Sequence, residues 1–190
     1  MSKNKVKFGL KNVHVFPITE ATSELVAYGE PIKMKGAVNL SLSPRGEESP
    51  FYADDITYYN QFGNDGYEGD FELALVPDEF LQEILGQTVD KNGVVVESVK
   101  DKGKSFAMTF EIDGDVNESR VILYNCSASR PETEASTTEG GKKEPQTDKL
   151  SFVASAAIDT GIIKAKVEKG SEAYDTFLDT VYKVVPSPEV

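Results

Sequence analysis

Apolar residues alternate with polar ones along most of the chain, which is the pattern of half-buried β-strands. Val38, Leu40 and Leu42 alternate with Asn39, Ser41 and Ser43 and stop at Pro44. Within residues 67–76, Phe71, Leu73 and Leu75 share one face, and Asp70, Glu72 and Ala74 the other. Phe106, Met108, Phe110 and Ile112 alternate with Ala107, Thr109 and Glu111. Leu150, Phe152, Ala154 and Ala156 do the same over residues 150–158. Further strands are expected at 13–18, where Pro17 marks an edge or an end, at 121–128 and at 163–167. Asn92-Gly93 predicts a tight turn ahead of Val94-Val95-Val96.

Two segments change to a helical period. After Pro77, Asp78 is placed to cap a helix carrying Leu81, Ile84 and Leu85 on one stripe, with Gly86 at its end. Near the C-terminus, Ser171 precedes Tyr174, Phe177, Leu178 and Val181, spaced i, i+3, i+4, i+7. Both are expected to pack on a sheet. The fold class that follows is mainly β, with two packed β-sheets as a sandwich or curled, barrel-like sheet, and one or two flanking helices.

Other stretches fit no compact core. Residues 44–66 are long for a connection between two convincing strands, yet they contain Phe51, Tyr52, Tyr58 and Tyr59. Residues 131–147 are small, polar and without apolar period, so a flexible loop is expected. Residues 1–11 hold Lys3, Lys5, Lys7 and Lys11 and no acid, and read as an extended N-terminal arm; residues 183–190 read as a C-terminal tail. The arm either frays in solvent or pairs with acidic surface on another copy. A length of 190 residues suits one domain over 1–190.

Charge adds a second asymmetry. The net charge is −12, and residues 46–90 contain 12 acids and no Lys or Arg, so this one segment supplies the whole excess. Its aromatics therefore sit among carboxylates, whereas nucleic-acid sites set aromatics among Lys and Arg. Tight DNA or RNA binding is disfavoured on that ground.

Candidate chemistry is sparse. One cysteine, Cys126, and one histidine, His14, rule out a disulfide framework and multi-histidine metal or catalytic sites. Both lie in strands and read as structural. Residues 113–118 resemble the opening of a calcium loop, but Glu118 stands where that loop needs Gly, and Tyr124 where it needs Glu. A strand-connecting turn fits better. Phosphate-binding glycine motifs, G-x-S-x-G and H-E-x-x-H are absent, as are a signal-like start and any apolar run of membrane-spanning length. The expectation is a soluble protein without catalytic, cofactor or metal residues. Tyr and Phe on loops, together with open sheet edges, point instead to protein–protein contact.

Five strings, GAVNLSLSPRGEESPFYADDITYY (36–59), NDGYEGDFELALVPDEFLQEILG (64–86), ILYNCSASRP (122–131), EPQTDKLSFVA (144–154) and YDTFLDTVY (174–182), occur in an order that resembles the major tail protein family of long-tailed, non-contractile bacteriophages, or siphophages, of Gram-positive hosts. The resemblance covers most of residues 6–183. It implies the phage tail tube protein fold, homo-hexameric rings stacked into a tube, and residence in the virion after assembly in the host cytoplasm. It also implies tape measure protein within the tube during assembly, tail terminator and distal tail or baseplate proteins at its ends, and DNA passing through without specific binding. Residues 44–66 and the arm would bind neighbouring rings. The expected interface residues are Lys3, Lys5, Lys7, Phe51, Tyr52, Asp54, Asp55, Tyr58 and Tyr59. Glu68, Asp70 and Glu72 share one strand face and are the candidates for a lumen-facing acidic strip. The alternative is a β-sandwich module that binds carbohydrate or protein through the aromatic loop.

Overall fold

The first strand, β1, runs fifteen residues from Lys7 to Ala21 and pairs antiparallel with β10 (Phe106–Gly114) from Lys7↔Gly114 to Pro17↔Phe106. The strand expected at 13–18 is therefore longer at both ends, and residues 7–11 belong to the sheet instead of a free arm. Pro17 lies inside β1, at its last pair with β10, and its carbonyl accepts from Gly29 N–H at 2.8 Å. The computed structural model describes residues 4–135, 137 and 145–185. Lys3, much of the expected loop 131–147 and the end of the expected tail lie outside the described residues.

In chain order, β2 (Val26–Tyr28) and β3 (Ile32–Lys33) follow β1, then β4 (Ala37–Arg45), β5 (Glu48–Ala53), β6 (Ile56–Phe62) and β7 (Gly66–Leu73). Helix α1 (Asp78–Glu83) leads to the two-residue strands β8 (Thr88–Val89) and β9 (Val95–Val96). After β10 come β11 (Ser119–Ala128), β12 (Asp148–Ser155) and β13 (Lys164–Glu168). The main sheet has the order β2-β1-β10-β11-β12-β7-β4, with β3 also on β1 and β13 also on β11; β5-β6 and β8-β9 form separate hairpins.

The second edge of β11 is divided. Residues Asn125–Ala128 pair with β12, while Ser119–Leu123 pair with β13. The half sheet β12-β7-β4 leaves the rest at this point and curls across it. Val13 and Val15 of β1, Phe71 and Leu73 of β7, and Leu150 and Phe152 of β12 consequently meet in one core, with Phe106, Met108 and Phe110 of β10. Helix α1 closes this core with Phe80 and Ile84, Phe80 meeting Phe106 edge to face at 5.8 Å. A second core lies on the opposite face of β1, β10 and β11, where Phe16, Ala107, Ile122 and Tyr124 pack under Ala157 and Phe177. The chain is thus mainly β, with two layers of sheet over a shared interior.

Burial on both sides explains where the strict alternation of β10 breaks down: Phe106 through Glu111 are all buried. Glu111, 3% exposed, carries its charge there because partners surround it. Arg120 Nε donates at 2.7 Å, Lys11 Nζ lies at 3.2 Å, and the Tyr174 hydroxyl donates at 3.2 Å. Arg120 also lies over the Tyr174 ring, 3.9 Å from its centre. Lys11 continues to Asp113 at 2.7 Å and Glu118 at 3.7 Å, and Lys169 pairs with Glu118.

Several local expectations shift. α1 is preceded by Pro77 with no side-chain cap, so Asp78 sits in the first turn with Glu79, where acids complement the helix dipole. Gly86 takes the left-handed conformation expected of a helix-ending glycine, φ 79°. The C-terminal helix expected over 174–181 is only a 3₁₀ turn, Asp175–Leu178; i, i+3 spacing suits that turn equally well, and Phe177 and Leu178 are still buried. β7 ends at Leu73, leaving Leu75 exposed.

Removing one partner of a buried ion pair strands the other, so Arg120→Met should destabilise the fold by about 3–5 kcal/mol in urea titrations. Adding Glu111→Leu to that variant should recover most of the loss. Hydrogen bonding and charge from Lys169, then Lys11, hold the Glu118 carboxyl below its usual value of 4.5. A carboxylate depressed in the folded state stabilises above its unfolded pKa, and that contribution disappears as pH falls through the lower folded value. Thermal melts should therefore drop below pH 4.5, and less so in Lys169→Ala.

Candidate assembly surface

Residues 44–66, expected as a loop, form the β5-β6 hairpin. It continues the β4-β7 ladder, since Asp65 N–H donates to Arg45 O and Gly63 N–H to Glu47 O, both at 2.9 Å. β4 through β7 thus make one long two-stranded ribbon whose lower half is in the sheet and whose upper half stands clear of it. At the junction Gly46 faces the Gly63 carbonyl so closely that no side chain fits at 46.

The turn is Asp54-Asp55, both with positive φ, 50° and 59°, between the paired Ala53 and Ile56. Two left-handed central residues give the type I′ turn that matches strand twist, and Asp is among the side chains that tolerate it. Sequence reasoning passed over this hairpin because Asp-Asp lacks the glycine that normally signals such a turn.

Every residue of β6 and all but Ala53 of β5 are exposed. Phe51 lies opposite Tyr59 and Ala53 opposite Ile56, which puts Phe51, Tyr59 and Ile56 on one face. Tyr52 and Phe62, paired with Thr57 and Glu48, lie on the other. A register shift between Phe51 and Tyr52 leaves Tyr58 as the extra residue of a bulge. Tyr58 and Phe62 are the most exposed of these, at 71% and 70%. An isolated hairpin is marginal in water, and this one exposes apolar surface on both sides.

β7 extends the ribbon into the sheet and carries Glu68, Asp70 and Glu72 outward, alternating with buried Gly69, Phe71 and Leu73. The period of two expected for these acids is therefore observed. Ser41 and Ser43 of β4 and Ser151 of β12 flank them, and Ser151 Oγ donates to Asp70 at 2.7 Å. Thr147 Oγ1 donates to Glu72 at 2.6 Å, with Lys149 directly opposite in register. Glu68 and Asp70 line a shallow groove of ≈ 510 Å³ walled mostly by Ser, Asp and Glu.

The N-terminal residues are held by their own chain. The Asn4 side chain accepts from Val116 and Asn117 N–H at 3.1 and 2.8 Å and donates to Asn117 O at 2.6 Å, and Lys5 N–H donates to Asp115 at 2.7 Å. The calcium-like stretch is thus a β10-β11 turn occupied by Asn4. Lys5 and Lys7 are exposed beside this turn, while Lys11 is committed to Glu111 and Asp113.

A cavity of ≈ 610 Å³ lies where β1 meets the β3-β4 turn, lined by Leu10, His14, Lys33, Lys35, Asp175 and Asp179 among others. Desolvation holds the His14 imidazole below its usual pKa, with Lys33 adding to the shift. Among the described residues, the carboxylates close enough to share a metal ion are Glu111, Asp113 and Glu118, and the Lys11 ammonium already occupies their midst. Cys126 is fully buried and its thiol pushed up by desolvation, which suppresses the reactive thiolate. Neither protein-family models nor curated protein sequences match the chain.

In dilute solution chymotrypsin should cut first within residues 51–62, leaving a folded body. Mass spectrometry of the first fragments checks this; initial cleavage at Phe71 or Phe106 would contradict the described exposure.

Proposed function

We propose that this chain is a tail tube subunit of a siphophage. Copies form hexameric rings that stack into the conduit for DNA ejection, with tape measure protein inside during assembly and terminator and distal proteins at the ends. One observation carries the reading: the β5-β6 hairpin bears aromatic residues on both faces, and among the described residues nothing covers either. A hairpin with one apolar face could fold back onto its body; one with two needs neighbours on both sides. The resemblance of the sequence to the major tail protein family and the mainly β fold point the same way.

Magnitudes favour an assembly over a simple dimer. Fully burying one large apolar side chain contributes about 1.5–3 kcal/mol, and association costs about 4–15 kcal/mol in lost freedom. A single hairpin contact is thus close to break-even. Several contacts made at once, as when a subunit joins an existing ring, reinforce one another. A carbohydrate-binding module fits less well, because the aromatics stand on a projecting ribbon, while the concave surfaces are lined largely by polar and charged side chains.

In this reading the Glu68, Asp70 and Glu72 strip faces the lumen and repels the phosphate backbone of passing DNA. Reversing all three to Lys should leave tubes intact and retard ejection; tubes that fail to form would place the strip at a subunit contact instead. Phe51→Ser with Tyr59→Ser should leave the monomer's melting temperature nearly unchanged and abolish the large particles that the native protein forms on concentration. Analytical ultracentrifugation and negative-stain microscopy read this out. A native protein that stays monomeric when concentrated overturns the proposal.

A further inference from the structure

We infer that the cavity beneath Lys33 and Lys35 receives the Asp54-Asp55 turn of a second copy of this chain, so that subunits join tip to base. The inference rests on the self-assembly reading above and names the surface that the hairpin meets.

Topology places donor and receiver at opposite ends of one ribbon. Ala37, the first residue of β4, lines the cavity, and the ribbon leaves the sheet after Arg45, at the other end of that strand. The tip and the cavity are therefore different surfaces displaced along the same strand direction. Contacts of this heterologous kind propagate, since each added copy presents again the surface it has just covered on its neighbour.

Charge matches as well. The tip presents two adjacent carboxylates, and β5 and β6 beside it contain no Lys or Arg. Lys33 and Lys35 are exposed at the cavity and form no ion pair among the described residues. The cavity's other cations, Lys11 and Arg120, are bound to Glu111. Asp175 and Asp179 also line the cavity, from the C-terminal 3₁₀ segment, whereas Lys33 and Lys35 come from β3 and the β3-β4 turn. Leu10, Val13 and Met34 give the floor an apolar surface for Ile56, which follows the acidic pair and is exposed in the single chain.

The ribbon's reach also bounds the assembly. From Ala37 to Asp54 the extended chain spans at most ~58 Å. The axial repeat between successive copies can then be no larger than that.

Two variants test the contact without disturbing the fold. Asp54→Asn with Asp55→Gly removes both charges and installs the residue pair that type I′ turns favour most, so a merely structural role for the tip would be improved by it. Lys33→Glu with Lys35→Glu reverses the receiver at exposed positions. Each should raise the concentration needed for assembly by about tenfold or more, with unchanged circular dichroism. In addition, an equimolar mixture of Asp55→Cys and Lys35→Cys chains should oxidise to the mixed disulfide in preference to either homodimer. Tubes that form normally in both charge variants, or equal crosslinking of all pairs, would overturn this receiver while leaving self-assembly standing. A native chain that never assembles would remove both.

Discussion

The hydrogen-bonding edge of β11 governs the architecture. One strand ordinarily offers one edge to one neighbour, but here β13 takes the first half of that edge and β12 the second. Because β12 can only follow the far half, the β12-β7-β4 sheet is directed across the β1-β10-β11 sheet and not beside it. Both interiors follow. The core between the layers holds Phe71, Phe106 and Phe152, and the core behind them is sealed by the segment that returns through β13 to Phe177. The ribbon's position follows too, because β4 and β7 are the last strands on the diverted side.

The same arrangement explains the buried charges. With both faces of β10 covered, Glu111 has no route to water, and Lys11, Arg120 and Tyr174 converge on it from three different parts of the chain. Such a cluster adds little net stability over an apolar replacement but fixes which strands lie side by side. Here it joins the beginning of β1, the β10-β11 pair and the C-terminal 3₁₀ turn. It also draws the N-terminal lysines apart in role: Lys11 is a structural counter-ion, whereas Lys5 and Lys7 stay at the surface.

Much of this was legible from alternation alone. β4, β7, β10 and β12 are each marked by period-two patterning and β11 by an apolar run, and the same pattern sets Glu68, Asp70 and Glu72 on one face of β7. Patterning failed where local sequence had no reason to show the answer. β2 and β3 are three and two residues long and exist because β1 offers them an edge. Residues 7–10 carry Phe8 and Leu10 on one face, but Phe8 is exposed, and the segment joins the sheet through backbone pairing and the Asn4 latch. The aromatic segment is a hairpin, yet in sequence its exposed residues look like a loop, since nothing beneath them imposes a pattern. Lys33 and Lys35 carried no signal at all, because a cavity made by β1, a turn and the distant 175–179 segment has no linear signature.

The Asp54-Asp55 turn, the Tyr58 bulge and Pro50 together have a consequence for the newly made chain. A naked aromatic ribbon is the sort of edge that zips indiscriminately onto others of its kind. Pro50 withholds one backbone donor, the bulge disturbs the register, and clustered negative charge makes two such ribbons repel at short range. Screening by salt is incomplete at contact, where the spacing falls below the ~8 Å Debye length. On the proposed assembly reading, the residues that invite a neighbour are thereby guarded against their own duplicates, and a nascent pool of chains can stay dispersed until a differently charged surface is offered.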